Sequence, residues 1–220
     1  MKLHWSPRSP FVRKVMIALH ETGLDGDVEC SRKAVAVQMP TPPAVLSDNP
    51  LGKIPALVTG DGLRLIDSRV ICEYLDLRAG AGLFPAEPKA RIAQLNWQAL
   101  ADGMTDVLLI WRTELTRKSG PWDALVTGWR TKVRAAMARF EAEAAEIADA
   151  PFGIGHIALV AALGQLDFRW PDCGWRAAFP ALANLEKTMA ERPSVIATAV
   201  VGDSGDDPGA LTAGQLTFTG

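Results

Sequence analysis

Apolar positions recur along the chain with different spacings, and the change between them divides it in two. Lys2–Trp5 has the look of a short strand. From Pro10 to Thr22, the residues Val12, Val15, Met16 and Leu19 fall on one face of a helix that Gly23 ends. Residues 27–37 contain a second strand. Residues 39–50, with prolines at 40, 42, 43 and 50, predict irregular chain. Two short apolar runs, 56–59 and 63–66, flank Gly60-Asp61-Gly62 as a β-hairpin, and a helix follows from Asp67 to about Arg78. This order, β-α-β and then β-β-α, predicts a mixed four-stranded sheet with helices packed against it.

Ala79-Gly80-Ala81-Gly82 interrupts the pattern, and the chain beyond it reads as helical. The stretch from Pro88 to about Lys118 is apolar over a wide arc: Ile92, Leu95, Ala99, Val107 and Trp111, together with Trp97, Met104 and Leu108. Such a helix is covered on two sides, by its own core and by a partner subunit. A second long helix opens at Pro121-Trp122-Asp123 and carries Val126, Trp129, Val133, Met137, Phe140, Ala144 and Ile147 at helical spacing. Residues 157–163 are apolar all round and predict the buried centre of the second half. Pro180–Glu191 is a short amphipathic helix. We therefore expect an α/β domain over 1–80, a linker over 81–87, an all-α domain over 88–200 and a disordered tail over 201–220.

Composition narrows the function classes. The formal net charge of −2 offers no basic footprint for nucleic acid or an anionic membrane. No apolar run approaches the ~20 residues that span a bilayer, and the first residues lack the apolar stretch of a secretory signal. Cys30, Cys72 and Cys173 are odd in number and widely spaced, and the histidines at 4, 20 and 156 are scattered. Neither set suggests a disulfide framework or a metal site, so a reducing cytoplasm and no metal are expected.

Four features of the first 80 residues carry candidate chemistry. Ser9-Pro10 is a good helix start, serine capping and proline in the first turn. The same helix end is an anion site, because free N–H groups and the helix dipole converge there. Arg13 and Lys14 in that first turn suit either an anion or two solvated charges. Pro55, at the entrance of a strand, is an ordinary loop proline or a cis residue; a cis bond would leave Ile54 free to pair with a peptide-like ligand. Asp67-Ser68 is a helix cap or a receiver for a carboxylate. Lys53 alone reads as a surface charge.

Together, Ser9–Leu19, Asn49–Leu57 and Asp67–Tyr74 resemble, in order, spacing and residue type, the thioredoxin-like N-terminal domain of glutathione transferases. The resemblance extends over about residues 1–200 and implies that fold, a thioredoxin-like α/β domain followed by an all-α helical domain. It lies nearest the serine-type classes, tau and zeta and their bacterial relatives. The single tyrosine, Tyr74, stands well inside a helix, and position 9, where omega and beta classes place cysteine, is serine.

The resemblance implies that the Ser9 hydroxyl donates to the sulfur of glutathione, with Ser6 the rival for that role. It implies that Ile54 before a cis Pro55 pairs with the cysteinyl unit, that Asp67 and Ser68 hold the γ-glutamyl end, and that Lys53 and Phe11 border the tripeptide. Glutathione would be a co-substrate, added as thiolate to an electrophile or spent on a hydroperoxide, in a homodimer. A non-catalytic binding module of the same fold is the alternative. Met104, Leu108, Trp111 and Trp122 would line an apolar co-substrate pocket, or else pack in the core or a dimer face. Lowering a thiol pKa from about 8.5 by ~2 units requires about 2.7 kcal/mol. One hydrogen bond to the charged sulfur supplies roughly 1.5–3 kcal/mol, and a helix N-terminus about 0.3–1 kcal/mol more. In the second half, Gly153 and His156 stand where the family has a Ser/Thr-x-x-Asp capping box, a departure that would weaken the cap.

Overall fold

The computed structural model describes residues 1–33, 35–36, 39–202 and 216–218. The first half contains β1 (Lys2–Trp5), α1 (Pro10–Thr22), a 3-10 turn, β2 (Glu29–Arg32), α2 (Pro43–Asp48), β3 (Ala56–Val58), β4 (Arg64–Leu65) and α3 (Ser68–Ala79). The sheet order is β2-β1-β3-β4, with β1 parallel to β2 and antiparallel to β3. The hairpin expected around Gly60-Asp61-Gly62 is the antiparallel β3–β4 pair.

One expectation in this half fails. The proline-rich stretch is not wholly irregular, because α2 lies inside it with Pro42 as cap and Pro43 at its start. Proline costs nothing in the first turn of a helix, where its missing N–H has no partner to lose. The C-terminal end of α2 is tied to the sheet by Asp48, which receives Lys2 (3.3 Å), the buried His4 (2.8 Å) and Arg64 (3.1 Å).

The second half is helical: α4 (Pro88–Leu115), α5 (Asp123–Asp149), α6 (Ile154–Arg169), α7 (Trp175–Ala178), α8 (Pro180–Ala190) and α9 (Pro193–Ala197). The apolar α6 is its buried axis, as its pattern predicts, and α4 packs along it. The missing capping box of α6 is replaced from two directions. His156 Nδ1 accepts the Gly153 N–H at 3.2 Å, and Gln94 of α4 accepts the Gly155 N–H at 2.8 Å. Nε2 of the same imidazole donates to Ile147 O at 2.8 Å, so the ring is neutral with its proton on Nε2. Gly153 is required here, since a Cβ would stand 2.7 Å from Leu83 O and 2.9 Å from the Gln94 side chain. The cap is therefore rebuilt rather than weakened.

The wide apolar arc of α4 divides between the core and solvent. Trp97, Ala101, Met104, Leu108 and Trp111 enter the core. On the other side Ile92 and Ile110 are exposed, as are Val70 and Leu77 of α3. Part of the expected loose tail is seated: Leu216 and Phe218 are buried, the Phe218 N–H donates to Cys173 O at 2.8 Å, and its ring meets Phe179 edge-on at 5.4 Å. The remainder of that expectation, residues 203–215 and 219–220, lies outside the described residues. Among the described residues no helix is long and apolar enough to cross a membrane.

Candidate active site

The N-terminus of α1 is the centre of the site. Ser9 is extended (φ −83°, ψ 119°), its Oγ accepts the Val12 N–H at 3.3 Å, and its own N–H donates to Ser6 O at 3.2 Å. A serine hydroxyl has two acceptor lone pairs and one donor proton. Capping uses one lone pair, so the O–H remains able to donate to a ligand. The two readings of Ser9 are therefore compatible, not rival. Pro10 has no N–H and Val12 is taken, which leaves the Phe11 N–H as the open donor of this helix end among the described residues. Ser9 is partly exposed, whereas Ser6 is 1% exposed and shut off from solvent.

Neither first-turn cation is available to an anion there. Lys14 is fully buried and bonded to Asp102 of α4 at 2.7 Å. Burial pushes the Asp102 carboxyl above the usual range in spite of that lysine. Beside the pair, burial pushes the Cys72 thiol up to about 12, and its Sγ lies 3.9 Å from Lys14 O. Cys72 is thus an inert core thiol. Arg13 extends its guanidinium into the helical half, toward Val160 O and Val195 O.

The second edge of the site is the loop before β3. Asn49, nearly sealed from solvent, shapes it by donating to Lys53 O at 2.8 Å and accepting the Leu51 N–H at 3.0 Å. The Ile54–Pro55 peptide is cis. The β1–β3 ladder ends at Ala56, so Ile54 stands beyond it, half-buried, with Lys53 exposed beside it.

The third edge is the start of α3. Asp67 caps it, accepting the Arg69 N–H at 2.9 Å, and its other oxygen pairs with the Arg69 guanidinium at 2.8 Å. That hydrogen bond holds the Asp67 carboxyl below its ordinary range, so it is charged at neutral pH. Ser68 is almost fully buried at the same turn. Arg69 was not singled out in the sequence, since its pairing with a cap two residues away leaves no periodic signal.

The wall facing these edges is α4, on a face other than the one the apolar pattern selected. Met104, Leu108 and Trp111 are core residues, the last with its ring 5.6 Å from Trp170, and Trp122 is exposed. The face that meets the first half carries Asp102 and, one turn on, Asp106. Asp106 is exposed, and only partial desolvation raises its carboxyl, with the cations Lys53 and Arg69 acting against that rise. Helical spacing continues this face through the half-buried Leu109 and Thr113. Among the described residues no cluster of three or more metal-ligating side chains occurs.

Residues 8–78 match the family model for the N-terminal domain of glutathione S-transferase. The chain is 31% identical over 203 residues to the uncharacterized GST-like protein YibF of Escherichia coli (strain K12), covering 90% of this chain and 98% of that one. A glutathione transferase family member from Pseudomonas fluorescens Pf-5, solved with bound glutathione, superposes with a TM-score of 0.87 at 42% identity, over 91% of this chain and 99% of that one. A glutathione S-transferase from Methylobacillus flagellatus KT, solved with glutathione bound, gives 0.81 at 34% identity over 91% and 99%. With a four-stranded mixed sheet whose helix ends and cis-proline loop face an all-helical second half, the chain belongs to the glutathione transferase family.

Proposed function

We propose that the chain is a glutathione transferase in which Ser9 holds the sulfur of glutathione as a thiolate and that thiolate attacks an electrophilic carbon. The observation that carries this reading is the Ser9 hydroxyl, which caps α1 through a lone pair while its proton stays free to donate. Relatives solved with glutathione at 42% and 34% identity support the ligand. In this reading the cysteinyl backbone pairs with Ile54, Ser68 and Asp67 receive the γ-glutamyl end, and Lys53 and Phe11 flank the tripeptide. The electrophile lies against the Asp106–Leu109–Thr113 face of α4. The sulfur forms the new C–S bond with its lone pair, and the electrophile releases a leaving group or accepts a proton from water. No general base is needed once the thiolate is formed. The exposed Val70, Leu77, Ile92 and Ile110 favour a homodimer closed across α3 and α4.

The test is Ser9→Ala, followed by the ultraviolet absorbance of bound thiolate against pH. Losing a hydrogen bond to a charged group, roughly 1.5–3 kcal/mol, should raise the pKa of the bound thiol by about 1–2 units. Conjugation of an aryl halide at neutral pH should fall accordingly, while glutathione still binds. An unchanged thiolate titration would remove Ser9 from this role. Glutathione binding by the wild type without turnover of any electrophile or peroxide would make the chain a binding module.

A further inference from the structure

The helix that carries Ser9 is held to the other half of the molecule by a side chain that the glutathione reading does not use. Arg13 lies one helical turn after Ser9, and its N–H donates to Ser9 O at 2.9 Å. Its guanidinium leaves the sheet half altogether. Nη1 reaches Val160 O of α6 at 3.4 Å, and Nη2 reaches Val195 O of α9 at 3.5 Å. It lies over Gly164, where a Cβ would stand 2.0 Å from Nη1, so any larger residue there would push the end of the Arg13 side chain aside. A cavity of about 130 Å³ adjoins the guanidinium, with Asp167 and Glu186 among its lining.

Both hydrogen bonds are long, and the Arg13 Nε is buried without a partner. A buried guanidinium so thinly satisfied is a poor source of stability. Its geometry is more telling, because it links one turn of α1 to two helices of the other half. Ser9, Ile54 and Ser68 all belong to the sheet half, whereas the α4 wall belongs to the helical half. Whatever fixes α1 against α6 and α9 also sets the distance from the sulfur position to that wall.

We propose that Arg13, seated in the Gly164 notch, is a positioning residue that sets the sulfur of bound glutathione against the wall for the group attached to it. This rests on the reading that glutathione binds along Ser9, Ile54 and Ser68. Arg13 touches neither ligand. Its effect falls on what extends from the sulfur, not on the tripeptide.

The test compares glutathione with S-hexylglutathione, whose hexyl chain probes the wall without requiring turnover. Both dissociation constants are measured by calorimetry for the wild type, Arg13→Met, Gly164→Ala and the double variant. Gly164→Ala displaces the flexible end of Arg13 and leaves α1 untouched, so it guards against a folding defect in Arg13→Met. The wild type should prefer the hexyl derivative. Each single variant should cut that preference at least fivefold while glutathione affinity stays within twofold, and the double variant should be no worse than the poorer single one. A merely structural role would lower Tm and weaken both ligands alike, and that result would overturn the proposal. So would an unchanged preference, additive losses, or a wild type that binds glutathione without preferring the hexyl derivative. A wild type that binds neither ligand overturns the glutathione reading itself, a failure distinct from the others.

Discussion

Lys14→Met isolates the cost of a carboxylate left alone between the two halves. In the wild type, Lys14 Nζ and Asp102 Oδ2 are 2.7 Å apart, with the lysine side chain fully buried and the aspartate side chain 11% exposed. Removing one member of a buried pair costs about 3–5 kcal/mol, because the remaining charge keeps its desolvation penalty and loses its partner. For a chain of this size each kcal/mol moves Tm by roughly 2–4 °C, so the loss at pH 7 should be roughly 6–20 °C. The pH dependence makes the test specific. Burial already raises the Asp102 pKa above its unfolded value, and without Lys14 the rise must be larger. A group with a raised folded pKa takes up a proton on folding, so its penalty is absent below the unfolded pKa near 3.8 and grows as pH rises through the folded one. The Tm gap between variant and wild type should therefore narrow as pH falls from neutral toward the unfolded value. Adding Asp102→Leu should recover most of the loss, since an apolar pair can replace a buried ionic one at little cost. Scanning fluorimetry at several pH values gives all three curves. A gap that is small or constant with pH would refute the buried-charge account.

Three further outcomes are expected. Burial lowers the His156 pKa, so its contribution to stability is full above the unfolded pKa of about 6.5 and is lost as pH falls toward the folded value. His156→Gln should flatten the acid limb of the Tm profile just below pH 6.5, and an unaltered limb would contradict the neutral-ring cap. The double variant Val70→Asp/Leu77→Asp should give a monomer by light scattering if α3 and α4 form the dimer face, and an intact dimer would place the interface elsewhere. Phe218→Ala should cost about 1.5–3 kcal/mol, the value of burying one such side chain, read from a urea midpoint. No change would mean that residues 216–218 add nothing to the core.

What the sequence disclosed depended on how local its cause was. The α6 axis, the β3–β4 hairpin and the start of α1 were legible because apolar period, turn chemistry and capping act within a few residues. The family likeness was legible for the same reason, since Ser9, Ile54-Pro55 and Asp67-Ser68 are short motifs in fixed order. The face of α4 that meets the first half was not. It is marked by acidic Asp102 and Asp106, while apolar spacing left Met104, Leu108 and Trp111 open between pocket and core, and they belong to the core. Lys14 read as a first-turn cation because its partner lies 88 residues away. Leu216 and Phe218 were hidden in a Gly/Asp-rich stretch without period, and only tertiary contact gives them a place.

The neighbouring cations of α1 limit how this architecture can be recombined. Arg13 and Lys14 are consecutive residues of the sheet half, yet their charged ends are accommodated by α6 and α9 in one case and by α4 in the other. A single apolar cluster also runs through both halves, from Leu3 and Leu75 to Trp97 and Leu163. A graft of residues 1–80 onto a different helical domain would have to supply an acid opposite Lys14 and, if Arg13 is to keep its place, a bare glycine beneath it. The sheet half is thus portable only together with a few residues of its neighbour, which have to travel with it as one inherited unit.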